Sequence, residues 1–560
     1  MSRRRLALFL ILLVLGCGRR EPSPPAALTT SWSVDTLQAG AEARLTVTVR
    51  AGIGAVPAGT HLRVGFPHWV YGSRDVQRPA GAEAAGYGRW YVVEPLPALR
   101  PGEEHATSFS LRLPGTAGPF APLVWVDWVP LRALPQRMIE AGPPERLVLI
   151  GPSQVAPGAS ARIAARLEDS LGNPIATEVR SVAAPGTPGV HRLPLTLEHN
   201  GPWTATTQPV LVQEPDPERP YIAWLDLHGH SALSDGRGTA DAWFRAARDV
   251  QHLDGAALSD HDWQLDDAEW ETLLAATDAA NQSGAFVTLP AAEINVNGHE
   301  IAYFADLPRL RALPRKGSRD GARTLWEETD RGDPTARVPD LLGAYASSRT
   351  TPSEADLLVV THTSLARGMG TGYPLQTPLP SNRAFEIYSS HGSSECDACP
   401  RRVGGGPLEP DERVGSLWDA LDSGLDATLI AASDAHDGRP GTDNWGAFRG
   451  GLTAVEVPEL TRAAVLQAIA AGHAWATTGE RTLLRVRWRD DAVDVLVVGE
   501  DVQAVEVVGD RAVVARREHV PQGTWFTLDG LPANAWRYVR VLQPDGTRAW
   551  RGVWRADRTP

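Results

Sequence analysis

The chain has 560 residues, with 54 Lys and Arg against 67 Asp and Glu and a net charge of −13. That acidity gives no support to a nucleic acid or other polyanion partner, and since Lys316 is the only lysine, the arginine richness reads as composition bias rather than a binding footprint. At about 100–200 residues per domain, three or four domains are expected and core burial is no obstacle.

Arg3-Arg4-Arg5 precedes an apolar run from Leu6 to Leu15, too short to span a bilayer comfortably, and Val14-Leu15-Gly16-Cys17 then resembles a bacterial lipobox. Residues 1–17 are read as a lipoprotein signal peptide that leaves Cys17 as the lipidated N-terminus, with an ordinary signal peptide or short anchor as the alternative. The membrane is then a partner through the lipid anchor. Gly18 after the cysteine, by similarity to known lipoproteins, favours the outer membrane of a bacterial cell envelope. Residues 18–28, with Pro22-Ser23-Pro24-Pro25, read as an extended tether.

From 29 to 145, strand alternations such as Ala43–Val49 and apolar runs such as Leu123–Val126 lie among Gly, Pro and Ser turns, which predicts a β-sandwich module. A second module is expected over 146–215, where Asp169-Ser170-Leu171-Gly172-Asn173-Pro174 reads as a turn in a pattern similar to immunoglobulin-like domains. Spacing or substrate gating is the plain role for both modules; glycan or protein binding is the alternative. Asp216–Pro220 is the expected linker.

From 221 to 480 short apolar runs alternate with helical spacings: helices over 240–250, 266–282, 338–347, 414–421 and 460–471, strands over 256–258, 286–289, 357–360, 385–387 and 428–432. An all-parallel (β/α) barrel is expected, with loop insertions near 306–335 and 365–383. His, Asp or Glu repeatedly lies just after or beside a short apolar run: His228, His230, Asp235 in Ser234-Asp235-Gly236, His261, Glu293, His299 before Ile301–Phe304, His362, Asp434 and His436. In parallel α/β folds that rim carries the chemistry. His228 and His230 alternate along one strand and so share a face. One such histidine is more often structural, but these are too many for a single mononuclear site, and two or three metals are expected. Imidazole with carboxylate suits Zn, Mn or Fe, whereas Ca would take oxygen alone.

The strings His-Gly-His-Ser-Ala-Leu-Ser-Asp-Gly at 228–236, Ser-Asp-His-Asp at 259–262, Glu293 and Ser-Asp-Ala-His at 433–436 resemble the PHP superfamily, named for polymerase and histidinol phosphatase. Gly298-His299, Glu386–Glu395, Gly472–Arg481, Tyr538–Val541, Asp545-Gly546 and Ala549-Trp550 are similar, more narrowly, to an exported PHP-related family known only as a domain of unknown function. The resemblance spans roughly 220 to the C-terminus and implies a distorted seven-stranded barrel. It also implies one metal on His228, His230, Glu293 and Asp434, a second bridged by Glu293 to His299 and His362, and a third on Asp235, His261 and His436. His391 competes for the second metal or faces substrate.

Such a cluster permits metal-assisted hydrolysis of a small-molecule or polymer-linked phosphoester, with Glu293 bridging and His391 or Asp262 orienting substrate or protonating the leaving group. Hydrolysis of an amide or other ester is the second reading, and a catalytically silent binding protein the third. No nucleophile elbow of the Gly-x-Ser-x-Gly type supports a serine triad. Cys396 and Cys399 are expected to form a small disulfide, and 481–560 a small C-terminal β module.

Overall fold

The alternation from Glu42 to Arg50 can bury only one strand face, and Ala43, Leu45, Val47 and Val49 do point into a core. The structure, a computed structural model, describes residues 28–66, 83–84, 90–126, 129–130, 134–262, 264–295, 299–311, 357–362, 383–396, 399, 415–442 and 450–557. The leader, Cys17, nearly all of the tether, the helix expected at 338–347 and most of both loop insertions lie outside the described residues.

The described chain is multidomain and mostly β, built from several small sheets. Thr29–Val34, Glu42–Arg50 and Glu104–Arg112 pair antiparallel, and a second antiparallel sheet contains His61–Phe66, Trp90–Pro95 and Leu123–Val126. Leu45 and Val47 from the first and Leu62, Val64 and Val124 from the second share one apolar cluster with Trp32 and Phe120. Beyond Arg146, smaller sheets share a separate cluster around Ile163, Ala165, Leu195 and Val210. The turn after Glu168 forms because Asp169 Oδ1 accepts the N–H groups of Leu171 and Asn173 at 2.9 and 2.8 Å.

Tyr221–Asp226 is the pivot of the region that carries His228 and His230. It pairs parallel with Gly255–Ala256, which pairs parallel with Val287–Thr288, and antiparallel with Leu452–Val457 on its other side. A second sheet runs through Ala291–Asn295, His299–Phe304, Leu357–Thr361 and Ala384–Ser389, with Thr428–Ala431 parallel to the last. Isolated bridges join the two sheets, Gly229 with Ala435 and His261 with Glu293.

The expectation of an all-parallel array is corrected here. Ala291–Asn295 and His299–Phe304 are antiparallel, as are His299–Phe304 and Leu357–Thr361. Only residues 296–298 separate the first two strands, enough for a hairpin and too few for a parallel crossover, which takes a dozen or more.

The helices follow their apolar spacing and cap residues. Asp267–Ala280 opens with a capping box in which Asp266 Oδ1 accepts Glu269 N–H at 2.8 Å and Glu269 Oε2 accepts Asp266 N–H at 3.0 Å. Ala240–Arg245, capped by Thr239, runs on as a π-helical turn over Ala246–Val250 and buries Trp243 and Phe244. No helix among the described residues is long and apolar enough to cross a membrane.

Leu452–Val457 pairs with Ala474–Thr477, and the partners Ala476–Trp550 and Thr477–Ala549 carry the same sheet into Arg548–Arg555, Trp536–Leu542, Ala504–Gly509 and Ala512–Glu518. One sheet thus crosses position 480, where the sequence pattern put the start of a C-terminal module. Leu483–Arg489, Ala492–Val498 and Phe526–Asp529 form a further small sheet.

Candidate metal centre

The segments that carry His228, His230 and Asp434 are zipped together by their own backbone. His230 N–H donates to Ala435 O and Asp434 N–H to His228 O, both at 2.9 Å. Gly229 is required between the two histidines, because a Cβ there would lie 2.5 Å from Trp243 Cζ2. Asp434 adopts a φ of 54°, a left-handed conformation uncommon outside glycine and found where a functional site holds strain.

Four donor atoms converge at this point. His228 Nε2 lies 3.2 Å from His230 Nε2, 3.2 Å from Glu293 Oε2 and 3.4 Å from Asp434 Oδ1. His230 Nε2 lies 3.1 Å from Glu293 Oε2 and 3.2 Å from Asp434 Oδ1. Donors about 2.0–2.1 Å from a tetrahedral ion stand about 3.3 Å from one another, and His228, His230 and Glu293, which lie within reach of one ion, have that spacing.

Beside it, Asp235 Oδ1 lies 3.4 Å from both His261 Nε2 and His436 Nε2. His261 Nδ1 stands 3.3 Å from Glu293 Oε2, and His299 Nδ1 contacts Glu293 Oε1, so Glu293 meets imidazoles through both oxygens. His362 lies between Glu386 and Asp434. Its Nδ1 lies 2.5 Å from Glu386 Oε1 and its Nε2 3.5 Å from Asp434 Oδ2, an oxygen that His391 Nε2 approaches at 3.0 Å. His299 therefore groups with Glu293 and His261, and His362 with Asp434 and His228. Asp262 enters through its backbone, donating its N–H to Glu293 O at 3.0 Å.

Sequence reasoning overlooked the carboxylates behind the ligands. Glu386 Oε2 accepts from His228 Nδ1 at 3.1 Å while its other oxygen holds His362. Asp226 accepts Ser433 N–H at 2.9 Å, Ser433 Oγ at 2.5 Å and Gly441 N–H at 2.6 Å. Asp260 accepts Ser231 N–H at 2.8 Å and Ser234 Oγ at 2.5 Å. Asp226 and Asp260 lie two and one residues before His228 and His261, so position in the motif was a usable signal for them. Glu386 stood in the 386–395 string and inside the expected strand 385–387, but its meeting with His228 spans 158 residues. Cys396 and Cys399 are disulfide-bonded in the loop after His391.

Burial pulls the His228 imidazole down, yet the carboxylates of Asp434 and Glu386 outweigh it and hold the ring well above its ordinary value. His230 is pushed up to about 10 despite its burial, by Asp434 and Glu293. Burial raises Glu293, Asp434 and Asp235, but the surrounding imidazoles bring all three well below the usual carboxylate range. Asp226, by contrast, is pushed up to about 6 by burial, even with its donors. The interior thus concentrates ionised carboxylates, which are expensive there unless positive charge is supplied. Solvent reaches the cluster through Asp235 and His391, whose side chains are 28% and 21% exposed.

No family model matches the chain, and no curated protein matches it. Among solved structures, a two-domain protein from Bacteroides vulgatus containing a predicted PHP-like metal-dependent phosphoesterase aligns over 60% of this chain and 95% of its own, at 15% identity and a TM-score of 0.30. A Bacteroides uniformis beta-glucuronidase aligns over 95% of this chain and 61% of its own, at 10% identity and a TM-score of 0.18. At these scores neither identifies a family, and the donor geometry stands by itself.

Proposed function

We propose that the chain is a metal-dependent hydrolase of phosphoesters that holds two or three Zn, Mn or Fe ions and is carried on the cell envelope by a lipid at Cys17. The observation that carries the hydrolase reading is the convergence of His228, His230 and Glu293, whose donors stand 3.1–3.2 Å apart, with Asp434 Oδ1 3.2–3.4 Å from both imidazoles. When bound, divalent ions would supply Lewis acidity, lowering the pKa of water from about 15.7 towards about 7 and neutralising phosphoryl oxygens. The chain's own residues do the rest. Glu293 and Asp434 present both oxygens to imidazoles and so set the spacing within the cluster. His391, partly exposed and held by Asp434, is the group best placed to orient substrate or give a proton to the leaving group. A silent binding protein has no use for so many buried, convergent polar groups.

The metal-site region is read as a distorted seven-stranded PHP-type (β/α) barrel between N-terminal β-sandwich modules and the C-terminal strands. Its support is a ring of pairings. From Tyr221–Asp226 they pass to Gly255–Ala256, cross the His261–Glu293 bridge, and run through the second sheet to Thr428–Ala431. The Gly229–Ala435 bridge then returns them to the start. Leu225, Ala257, Ile301, Val360 and Ile430 belong to one apolar cluster along that ring.

The deciding experiment assays full-length protein reconstituted with Zn, Mn or Fe against phosphomonoester, phosphodiester, amide and carboxyl-ester panels, with Glu293→Gln as background. Phosphoester turnover should fall more than ~100-fold in that variant, the upper scale for lost support at a metal site. Cleavage of an amide or carboxyl ester alone would put the second substrate class in place of the first. A metal content unchanged in the His228→Ala, His230→Ala double variant would sink the metal assignment.

A further inference from the structure

Residues 115–119 belong to the first β module, yet they pack against the ends of the metal-site segments. Arg237, buried two residues past Asp235, donates Nη1 to Thr116 O at 3.2 Å and Nε to Pro119 O. Thr116 Oγ1 donates to Asp437 Oδ2 at 3.3 Å and accepts from Arg439 Nη2 at 3.0 Å, which uses its single proton and one lone pair. Asp437 is buried beside His436 and also accepts Arg439 Nε at 3.1 Å. Asn173 of the second module completes the knot. Its Nδ2 donates to Gly115 O at 2.7 Å, and its Oδ1 accepts Ala117 N–H at 2.8 Å and Arg439 Nη1 at 3.4 Å. Gly118 has a φ of 131°, and a Cβ there would stand 3.3 Å from Arg237 Nη2, so the segment is shaped to this arginine.

The knot adjoins two residues of the cluster. Asp235 and His436 lie outside strands, with Arg237 two residues past the first and Asp437 next to the second. We infer that Thr116, Asn173, Arg237 and Arg439 are positioning residues for the Asp235–His261–His436 donor set, so that the N-terminal modules govern whether that set holds an ion. This gives the modules a part in building the site, beyond spacing or gating. It rests on the metal-site reading above.

The test titrates cobalt(II) into full-length, metal-stripped wild type and the variants Thr116→Val, Thr116→Ser and Arg237→Met, following visible absorption and, after desalting, metal per chain. Thr116→Val is isosteric and removes only the hydroxyl. The expected result is one cobalt equivalent weakened ~10–100-fold in Thr116→Val and Arg237→Met, with the tightest equivalent unchanged and Thr116→Ser close to wild type. Thermal melting of the stripped proteins shows which variants fold, and should Arg237→Met fail, Thr116→Val decides. Folded variants that bind every equivalent like wild type, or that weaken all of them alike, overturn the inference. Wild type that binds no cobalt instead removes the metal-site reading underneath it.

Discussion

Glu386 Oε1 lies 2.5 Å from His362 Nδ1, and this contact decides which nitrogen of that ring faces the cluster. Burial raises the Glu386 carboxyl, but the imidazoles of His362 and His228 bring it below its ordinary range, so it is an ionised acceptor. Each Nδ1 it touches must carry the proton, which leaves Nε2 of both rings as the ligand atom. Replacing Glu386 with Ala releases both tautomers and should weaken metal binding by ~10–100-fold without unfolding the chain. Chelator competition measures this, and an affinity equal to wild type would contradict the role.

Gly229→Ala tests how closely the backbone between the two histidines is packed. The new Cβ would meet Trp243 Cζ2 at 2.5 Å, and Trp243 is a fully buried ring that cannot give way. Overpacking of this kind costs about 1–3 kcal/mol and should also shift His228 and His230 out of register with Asp434. Lower thermal stability together with reduced metal content is the expected outcome; neither changing would refute it.

Glu395 couples the His391 loop to the C-terminal strands. It is fully buried and accepts from Arg540 Nη1 at 2.7 Å, Tyr538 OH at 2.7 Å and Arg548 Nη1 at 3.0 Å. Removing one member of a buried ion pair costs about 3–5 kcal/mol, and Glu395→Gln should fall near the lower figure because Arg540 keeps Glu506. Urea denaturation checks this, and a loss below about 1 kcal/mol would show the network to be dispensable.

His252 makes the fold acid-sensitive. Burial first, then Arg166, Arg481 and Arg162, push its imidazole down to about 4, with Asp249 opposing. The unfolded chain takes up this proton near pH 6.5 while the folded chain refuses it until about 4, so stability falls as pH drops through that window. The ring is partly exposed, which limits the effect to on the order of 1–2 kcal/mol. His252 has a φ of 51°, a conformation asparagine tolerates, so His252→Asn should fold and lose less stability between pH 7 and pH 4.5 than wild type. Identical pH profiles would assign the acid sensitivity elsewhere.

Much of this was legible in the chain because it is local. Alternation along Glu42–Arg50, the helical spacing over 266–282, the turn at Asp169 and the apolar runs before His228, Glu293 and His362 follow from backbone periodicity and short-range hydrogen bonding. The residues that gather at the cluster lie in or beside those runs or in the loops that follow them.

Only the tertiary structure decided which partners meet, because that depends on strand order and on bonds spanning long stretches of chain. The antiparallel hairpin sets His299 against Glu293, and strand Ala384–Ser389 brings Glu386 to His228 across 158 residues. Arg237 finds the Pro119 carbonyl 118 residues away, in a different module. Periodicity in a sequence reports which face of an element is buried. Which carboxylate oxygen a buried imidazole then faces is settled by how the sheets join, and that information is held by pairs of residues too far apart for any local pattern to record.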